Sequence, residues 1–268
     1  MNLNTLRALY LLILWDLNKM LRRAVFVAMR VIWFVIQVTV FGLALTAMVR
    51  LRGSLPVDVN YYEFYLLGIY TSMLFSISVS RAYDIAEEFE EGIVEYHLSL
   101  PISRRVFAVG RTIGGGIASF LFTLPMFAVV LWLLEDVNVE AVIISLSSAL
   151  LFAMSITGFV LSIVLSLKSG DATDIMFGVL DSLLIRLSTV FYPAVVLSRY
   201  APYLYVALVN PISHIADFLR TLFLFEEYRA IAIASPIAMA SYILGLAVGF
   251  SSLAMYIVEK KVEGGGWR

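Results

Sequence analysis

Six long apolar stretches divide this chain, and no other feature constrains its fold as strongly. They cover residues 25–48, 61–80, 106–134, 141–167, 173–196 and 231–257. An α-helix needs about 20 apolar residues to cross the hydrocarbon core of a bilayer. The composition agrees, since 61% of the residues are hydrophobic and 15% are charged, against roughly a quarter charged in soluble domains. We therefore predict an all-α integral membrane protein with six transmembrane helices in one domain, residues 1–268.

The basic residues indicate the orientation of these spans. An even number of spans places both termini on one side, and most Lys and Arg near the span ends then fall on that side. The other side receives Arg50, Arg52, Arg199, Arg220 and Arg229. Because basic residues concentrate in cytoplasmic loops, we predict cytoplasmic termini in a multi-pass protein of the plasma membrane. Arg50 and Arg52 oppose this trend.

Residues 1–24 precede the first span and have the pattern of an amphipathic helix. Apolar side chains recur at helical spacing, while most polar ones lie off this stripe. The stripe contains Leu3, Leu6, Tyr10, Ile13, Leu14, Leu17 and Leu21, and the polar residues are Arg7, Asp16, Asn18, Lys19, Arg22 and Arg23. Such a helix is expected to lie in the headgroup layer and to position the bundle.

Several classes of function lack the residues that they need. The chain has no cysteine, and its net charge of −1 argues against nucleic acid as a partner. The sequence contains no Gly-x-x-x-x-Gly-Lys-Ser/Thr loop for binding a nucleotide, and Gly110 and Gly114–Gly116 are expected to serve helix packing. The two histidines, His97 and His214, fall on opposite sides of the membrane. We therefore expect no enzyme, no metal site and no cofactor in this chain.

An acidic segment, residues 85–101, connects the second and third spans. If it forms one helix, Ile85, Phe89, Ile93 and Tyr96 share a face, and Glu87, Glu91 and Glu95 form a column widened by Glu88 and Glu90. Pro101 ends the helix, Ser103 can cap the next one, and Arg104 and Arg105 anchor that helix at the lipid headgroups. A solvated charged loop is one interpretation. The other is a helix that docks on a basic protein partner, since the carboxylates disfavour an anionic membrane surface.

Two motifs in the chain resemble those of a known family. Glu88, Glu90, Gly92, Glu95, Leu100, Pro101, Ser103 and Arg104 match the Glu-x-Glu-x-Gly-Thr-x-Glu and Pro-Ile/Leu-Ser-Arg run between the second and third spans of type-2 ATP-binding cassette (ABC) transporter membrane subunits. Ile93 replaces the usual Thr. Asn210, Pro211, Asp217 and Arg220 match the Asn-Pro-Leu-Thr-x-x-x-Asp-x-x-Arg run that precedes the last span of that family.

The resemblance implies a fold and a set of partners. Residues 85–101 would be a coupling helix that receives a separate ATPase subunit, which binds the ATP and magnesium. The ATPase-coupling residues would be Glu87, Glu88, Phe89, Glu90, Glu91, Gly92, Glu95, Pro101 and Arg104. A second copy of the chain or a homologous permease would complete the membrane part. Residues 199–229 would form a re-entrant helical segment. We interpret Asn210, Pro211, Asp217 and Arg220 in it as a candidate outer gate, and a cap seated in lipid is the alternative.

Polar residues inside the spans are the candidates for contact with a substrate. The fifth predicted span contains Asp174, Asp181 and Arg186, and the second contains Ser72 and Ser76. Charged residues in a bilayer need partners or water, so these positions suit either a transport pathway or a structural contact at a dimer interface. Small residues such as Ser72 and Ser76 suit either close helix packing or a pathway lining.

The predicted function is that of a permease subunit that exports a small amphipathic compound or drug, driven by a separate ATPase. Export of a lipid-linked glycan or another polymer is an alternative. A second alternative is an ion- or proton-coupled carrier that uses Asp174, Asp181 and Arg186. A third is a membrane scaffold whose acidic helix recruits a cytosolic protein.

Overall fold

A computed structural model describes residues 3–22, 24–48, 60–167, 169–224 and 228–261. Every regular element in these ranges is a helix. Five helical stretches among them are long and apolar enough to cross a membrane. They are Val25–Met48, Tyr61–Glu90, Arg104–Leu133, Val139–Leu167 and Pro236–Lys260. This confirms the predicted all-α class, while the count of six spans stays a prediction.

The helices follow one another with short connections. They are α1 (Leu3–Leu21), α2 (Ala24–Ile36), a π-helical turn (Gln37–Phe41), α3 (Gly42–Met48), α4 (Tyr61–Val79), α5 (Arg81–Glu90), α6 (Ile93–Ser99), α7 (Arg104–Leu133), α8 (Val139–Leu167), α9 (Gly170–Arg186), α10 (Ala194–Leu197), α11 (Ala201–Val209), α12 (Pro211–Phe223) and α13 (Pro236–Lys261). Ser103 caps α7 as predicted, since its hydroxyl accepts a hydrogen bond from the Val106 amide at 3.3 Å.

Contacts between helix termini define two ends of the bundle. At the near end, the end of α5 meets the start of α9, and Arg105 at the start of α7 pairs with Glu259 in the last turn of α13 at 2.6 Å. At the far end, the Glu135 amide after α7 donates to Glu63 in α4 at 3.3 Å. Lys19 of α1 contacts Glu88 at the near end, so the start and the end of the described chain lie on one side of the bundle.

The fifth predicted span, residues 173–196, differs from the structure. Helix α9 ends at Arg186, and residues 187–193 are not helical before the short α10. The reason is tertiary, because the carbonyls of Thr189 and Val190 accept hydrogen bonds from Arg220 instead of from their own helix. Helix α9 keeps 17 residues, about 25 Å, which is close to the lower limit for crossing a bilayer.

Residues 199–224, the described start of the predicted re-entrant segment, form two helices of opposite character. Most of α11 is exposed, whereas α12 is buried along almost its whole length and packs against α4, α8 and α13. Residues 225–227 lie outside the described part of the chain. The re-entrant path of this segment through a membrane stays a prediction.

Helix α1 packs along the start of α7 through glycine. Leu12 of α1 lies over Gly110, and Ile13 and Asp16 lie over Gly114, where a Cβ atom would leave them too little room. This confirms the predicted packing role of these glycines. The opposite face carries Leu6, Tyr10 and Leu21 of the predicted apolar stripe, which are 50%, 61% and 64% exposed.

Candidate functional site

The acidic segment, residues 85–101, is two helices and not the predicted single one. Helix α5 ends at Glu90, and Gly92 has a φ of +73°, a left-handed conformation that costs little only for glycine. The predicted apolar face is therefore interrupted. Phe89 is buried in α5, whereas Tyr96 in α6 is 65% exposed. The predicted column of Glu87, Glu91 and Glu95 is interrupted at the same turn.

The turn leaves an acidic surface at the near end. Glu87, Glu90 and Glu91 are exposed there, and Glu95 is half-buried. Asp171 and Asp174 of α9 line the same cavity as Glu87 and Glu90, with a volume of about 370 Å³. We call Glu87, Glu90, Glu91, Asp171 and Asp174 the acidic surface.

Glu88 is buried, unlike Glu87, Glu90 and Glu91. Its carboxylate accepts a hydrogen bond from Arg111 at 2.6 Å, from Lys19 at 3.2 Å and from the Trp15 ring nitrogen at 3.2 Å. Arg111 also pairs with Asp16 at 2.8 Å, and both side chains are buried. Asp16, Lys19, Glu88 and Arg111 therefore form one ionic cluster, the Arg111 cluster, which joins α1, α5 and α7.

Burial affects the titration of two groups near this cluster. It raises the pKa of Asp16 from 3.8 to about 6, although the Arg111 guanidinium acts in the opposite direction. The pKa of His97 is lowered by burial and by Arg111, and its ring meets Trp15 edge-on at 5.1 Å. Sequence reasoning missed Asp16 and Arg111 as partners. The available signal was Arg111 itself, a charge inside the apolar run of α7.

A second buried arginine lies toward the far end, in α12. Arg220 is fully buried and donates to the carbonyls of Phe64, Thr189 and Val190 at 2.7–3.1 Å. It also pairs at 3.0 Å with Asp217, which lies three residues earlier in α12. The guanidinium lies 3.4 Å from the centre of the Phe64 ring. Arg220 therefore ties α12 to α4 and to the non-helical segment 187–193.

Asp217 completes this site, which we call the Arg220 site. Its carboxylate accepts from the Thr189 hydroxyl at 2.9 Å, from the Tyr228 hydroxyl at 3.0 Å and from the Ile233 amide at 2.8 Å. The predicted gate residues Asp217 and Arg220 thus join chain segments that precede α12 to segments that follow it.

Asn210 and Pro211 begin α12. The Asn210 side-chain oxygen accepts from the Ile212 amide at 3.0 Å, and its amide nitrogen donates to the Leu184 carbonyl at 2.7 Å. Pro211 occupies the first helical position, which needs no amide proton. The Asn-Pro pair therefore caps α12 and fixes it against the end of α9.

The polar span residues do not form one group. The Ser76 hydroxyl donates to Asp181 at 2.6 Å, which joins α4 and α9. Ser72 bonds the Ile69 carbonyl of its own helix at 2.8 Å. Asp174 lies at the near end, and Arg186 is exposed near the other end of α9, where it contacts Ser182.

The outer face of α9 is apolar. Ile175 is 71% exposed, Val179 is 53% exposed and Leu183 is 50% exposed, with a spacing of four residues. These side chains lie on one helix face, and the described part of the chain does not cover them.

The comparisons with known proteins give one match. A family model described as ABC-2 type transporter matches residues 8–224, which is most of the chain. The matched range includes both motifs, the Arg111 cluster, and Asp217 and Arg220 of the Arg220 site. A search of curated proteins gives no match.

Proposed function

Because this chain belongs to the ABC-2 type transporter family, and is therefore a multi-pass membrane permease and not the ATPase, we propose that it exports a small amphipathic compound. A separate ABC ATPase subunit, which binds ATP and magnesium, supplies the energy. The near end faces the cytoplasm of the cell, and both termini lie on that side of the plasma membrane.

The acidic surface is the observation that supports this proposal most. Its exposed carboxylates lie near the sharp Glu91–Gly92 turn, and exposed apolar side chains follow at Tyr96 in α6 and at Leu100 just after that helix. Complementary charge steers and registers a protein partner, while apolar contact supplies affinity. A basic, partly apolar groove on the ATPase fits this surface. Glu95, Pro101 and Arg104 flank it.

The Arg111 cluster then carries the motion of the ATPase into the spans. The turn is continuous with α5 and α4, which together extend from Tyr61 to Glu90. One residue after the exposed Glu87, the buried Glu88 binds Arg111 of α7 and Lys19 of α1. A displacement of the turn therefore acts on three helices at once.

A second copy of the chain, or a homologous permease, completes the transport path. The exposed apolar face of α9 supports this part of the proposal, because such a face suits either lipid or another helix. The Ser76–Asp181 pair lies between α4 and α9, away from that face, and is a candidate for the path itself.

The substrate is a small amphipathic compound such as a drug, and a lipid-linked glycan is the alternative. An ion- or proton-coupled carrier is the second candidate function, favoured by the half-buried Asp181 carboxyl. Transport in vesicles separates the two. Export that requires ATP supports the first, and transport that continues without ATP and stops in Asp181→Asn supports the carrier.

Co-purification with the ABC ATPase tests the docking surface. We expect the native chain to retain the ATPase and Glu90→Lys/Glu91→Lys to retain at least about tenfold less, since like charges across an interface cost several kcal/mol. The matched control is Asp136→Lys/Glu140→Lys, which reverses two exposed carboxylates beyond α7 at the far end. Equal retention by both variants and the native chain contradicts the assignment.

A further inference from the structure

A groove at the near end differs in charge from the acidic surface. It lies between the start of α7 and the end of α13, and its volume is about 710 Å³. Its lining consists of Ser103, Arg104, Arg105, Glu259 and Lys260. Three cations therefore face one carboxylate.

Glu259 orders the two arginines of the groove. Its carboxylate accepts from Arg105 Nε at 2.6 Å, and its backbone carbonyl accepts from Arg104 Nη1 at 3.3 Å. A guanidinium has five N–H donors, and each of these contacts uses one. Lys260 lies with its ammonium 4.7 Å from the centre of the Tyr256 ring. The groove thus combines positive charge with spare hydrogen-bond donors.

The position of the groove matches that of lipid headgroups. Helices α7 and α13 are both long and apolar enough to cross a membrane, and the groove lies at the end of each. Below it, α13 exposes an apolar outer face with Val248 62% exposed, Leu253 41% exposed and Tyr256 54% exposed. A molecule with an anionic head and an acyl chain can contact both surfaces at once. A free phosphate can contact only the groove.

We propose that this groove binds the phosphate of an anionic phospholipid, whose acyl chains lie along the outer face of α13. Arg104, Arg105 and Lys260 contact the headgroup, and Glu259 holds the two arginines in place. The first amides of α7 add a favourable field. This inference depends on membership of a membrane family and does not rest on the proposed ATPase docking or on the direction of transport.

Native mass spectrometry of the full chain tests the site. The protein is placed in nanodiscs with equal phosphatidylglycerol and phosphatidylcholine, and the lipid that it retains on release is identified. We expect the native chain to retain phosphatidylglycerol preferentially. Each lost cation should weaken this retention about fivefold, so Arg104→Gln/Lys260→Gln should lose about 25-fold.

The matched control is Arg7→Gln/Arg22→Gln, which removes one exposed cation from α1 and one directly after it and should leave the retained phosphatidylglycerol unchanged. Lys260→Gln alone removes one exposed ammonium without altering the Glu259 contacts, and it should lose about fivefold. Lys260 is not among the residues assigned to ATPase coupling, so this variant should keep ATPase binding.

Two results overturn the proposal. The first is retention of phosphatidylglycerol by Arg104→Gln/Lys260→Gln at the native level. The second is displacement of the lipid by millimolar sn-glycerol 3-phosphate or inorganic phosphate, which would make the groove a site for free phosphates. The preference for phosphatidylglycerol should weaken at high salt if the cations of the groove attract the headgroup by charge. A preference that does not depend on salt contradicts this electrostatic contribution.

Discussion

Arg111 and Arg220 are both buried arginines in the helical bundle, but their partners differ. Arg111, at the near end, pairs with the carboxylates of Asp16 and Glu88 from two other helices. Arg220 has one carboxylate partner, Asp217 in its own helix, and otherwise bonds backbone carbonyls. The first site joins regular helices by charge, and the second satisfies the carbonyls of a non-helical segment.

The difference indicates what each site can do. A cluster of side-chain charges responds to protonation and can loosen while its helices stay intact. The Arg220 site instead satisfies carbonyls that have left their helix, and a buried polar group without a partner is costly. We infer that the Arg111 cluster suits an element that moves, whereas the Arg220 site holds the fold around α12 together.

The largest expected effect is the loss of Arg220. Arg220→Met leaves Asp217 as a buried charge without its cation, and it leaves the non-helical Thr189 and Val190 carbonyls without this donor. Removal of one member of a buried pair costs about 3–5 kcal/mol, and we expect the upper part of that range. The measurement is thermal unfolding of the purified chain in neutral detergent.

Arg186→Met is the control, because Arg186 is exposed and contacts Ser182 in its own helix. Its effect should stay within about 0.5 kcal/mol, as for most surface substitutions. If the two variants unfold at the same temperature, Arg220 does not hold segment 187–193, and the contrast with Arg111 fails.

The next effect concerns pH and belongs to the Arg111 cluster. Because the pKa of Asp16 is raised from 3.8 to about 6, its contribution to stability is complete below pH 3.8 and is lost as the pH rises through 6. The loss amounts to about 3 kcal/mol. Asp16→Asn should remove this contribution. The unfolding temperature of this variant should therefore fall less between pH 4 and 7 than that of the native chain.

Asp136→Asn gives the comparison for this experiment, because Asp136 is exposed beyond the far end of α7. It should keep the native fall in stability between pH 4 and 7. A profile that Asp16→Asn leaves unchanged would place Asp16 outside the buried cluster.

The sequence predicted one of these arginine sites better than the other. Asp217 and Arg220 lie three residues apart, so helical spacing alone predicts their contact. The partners of Arg220 at Phe64, Thr189 and Val190 are backbone atoms, which leave no pattern in the side chains. The non-helical segment was missed for the same reason, since its apolar residues continue the run of α9.

The Arg111 cluster shows a different limit of sequence reasoning. Helical periodicity separated Asp16 from the apolar stripe of α1 correctly, but a polar residue off a stripe is expected to face water. Here the face opposite the stripe packs on Gly110 and Gly114 of α7, so the same position is buried. For Glu88, the acidic segment offered five glutamates, and only its burial against Arg111 distinguishes it from the exposed Glu87.

The smallest expected effect tests the space around Arg220. A Cβ atom on Gly68 of α4 would overlap the Arg220 guanidinium and the Val190 carbonyl oxygen. Since both groups are held by the hydrogen bonds of the Arg220 site, Gly68→Ala should cost about 1–3 kcal/mol. Gly249→Ala in α13, with no heavy atom within 4 Å of the added carbon, should gain about 0.5–1 kcal/mol from helix propensity. A stabilising Gly68→Ala would mean that segment 187–193 yields to an added methyl, and the rigidity ascribed to the Arg220 site would then be wrong.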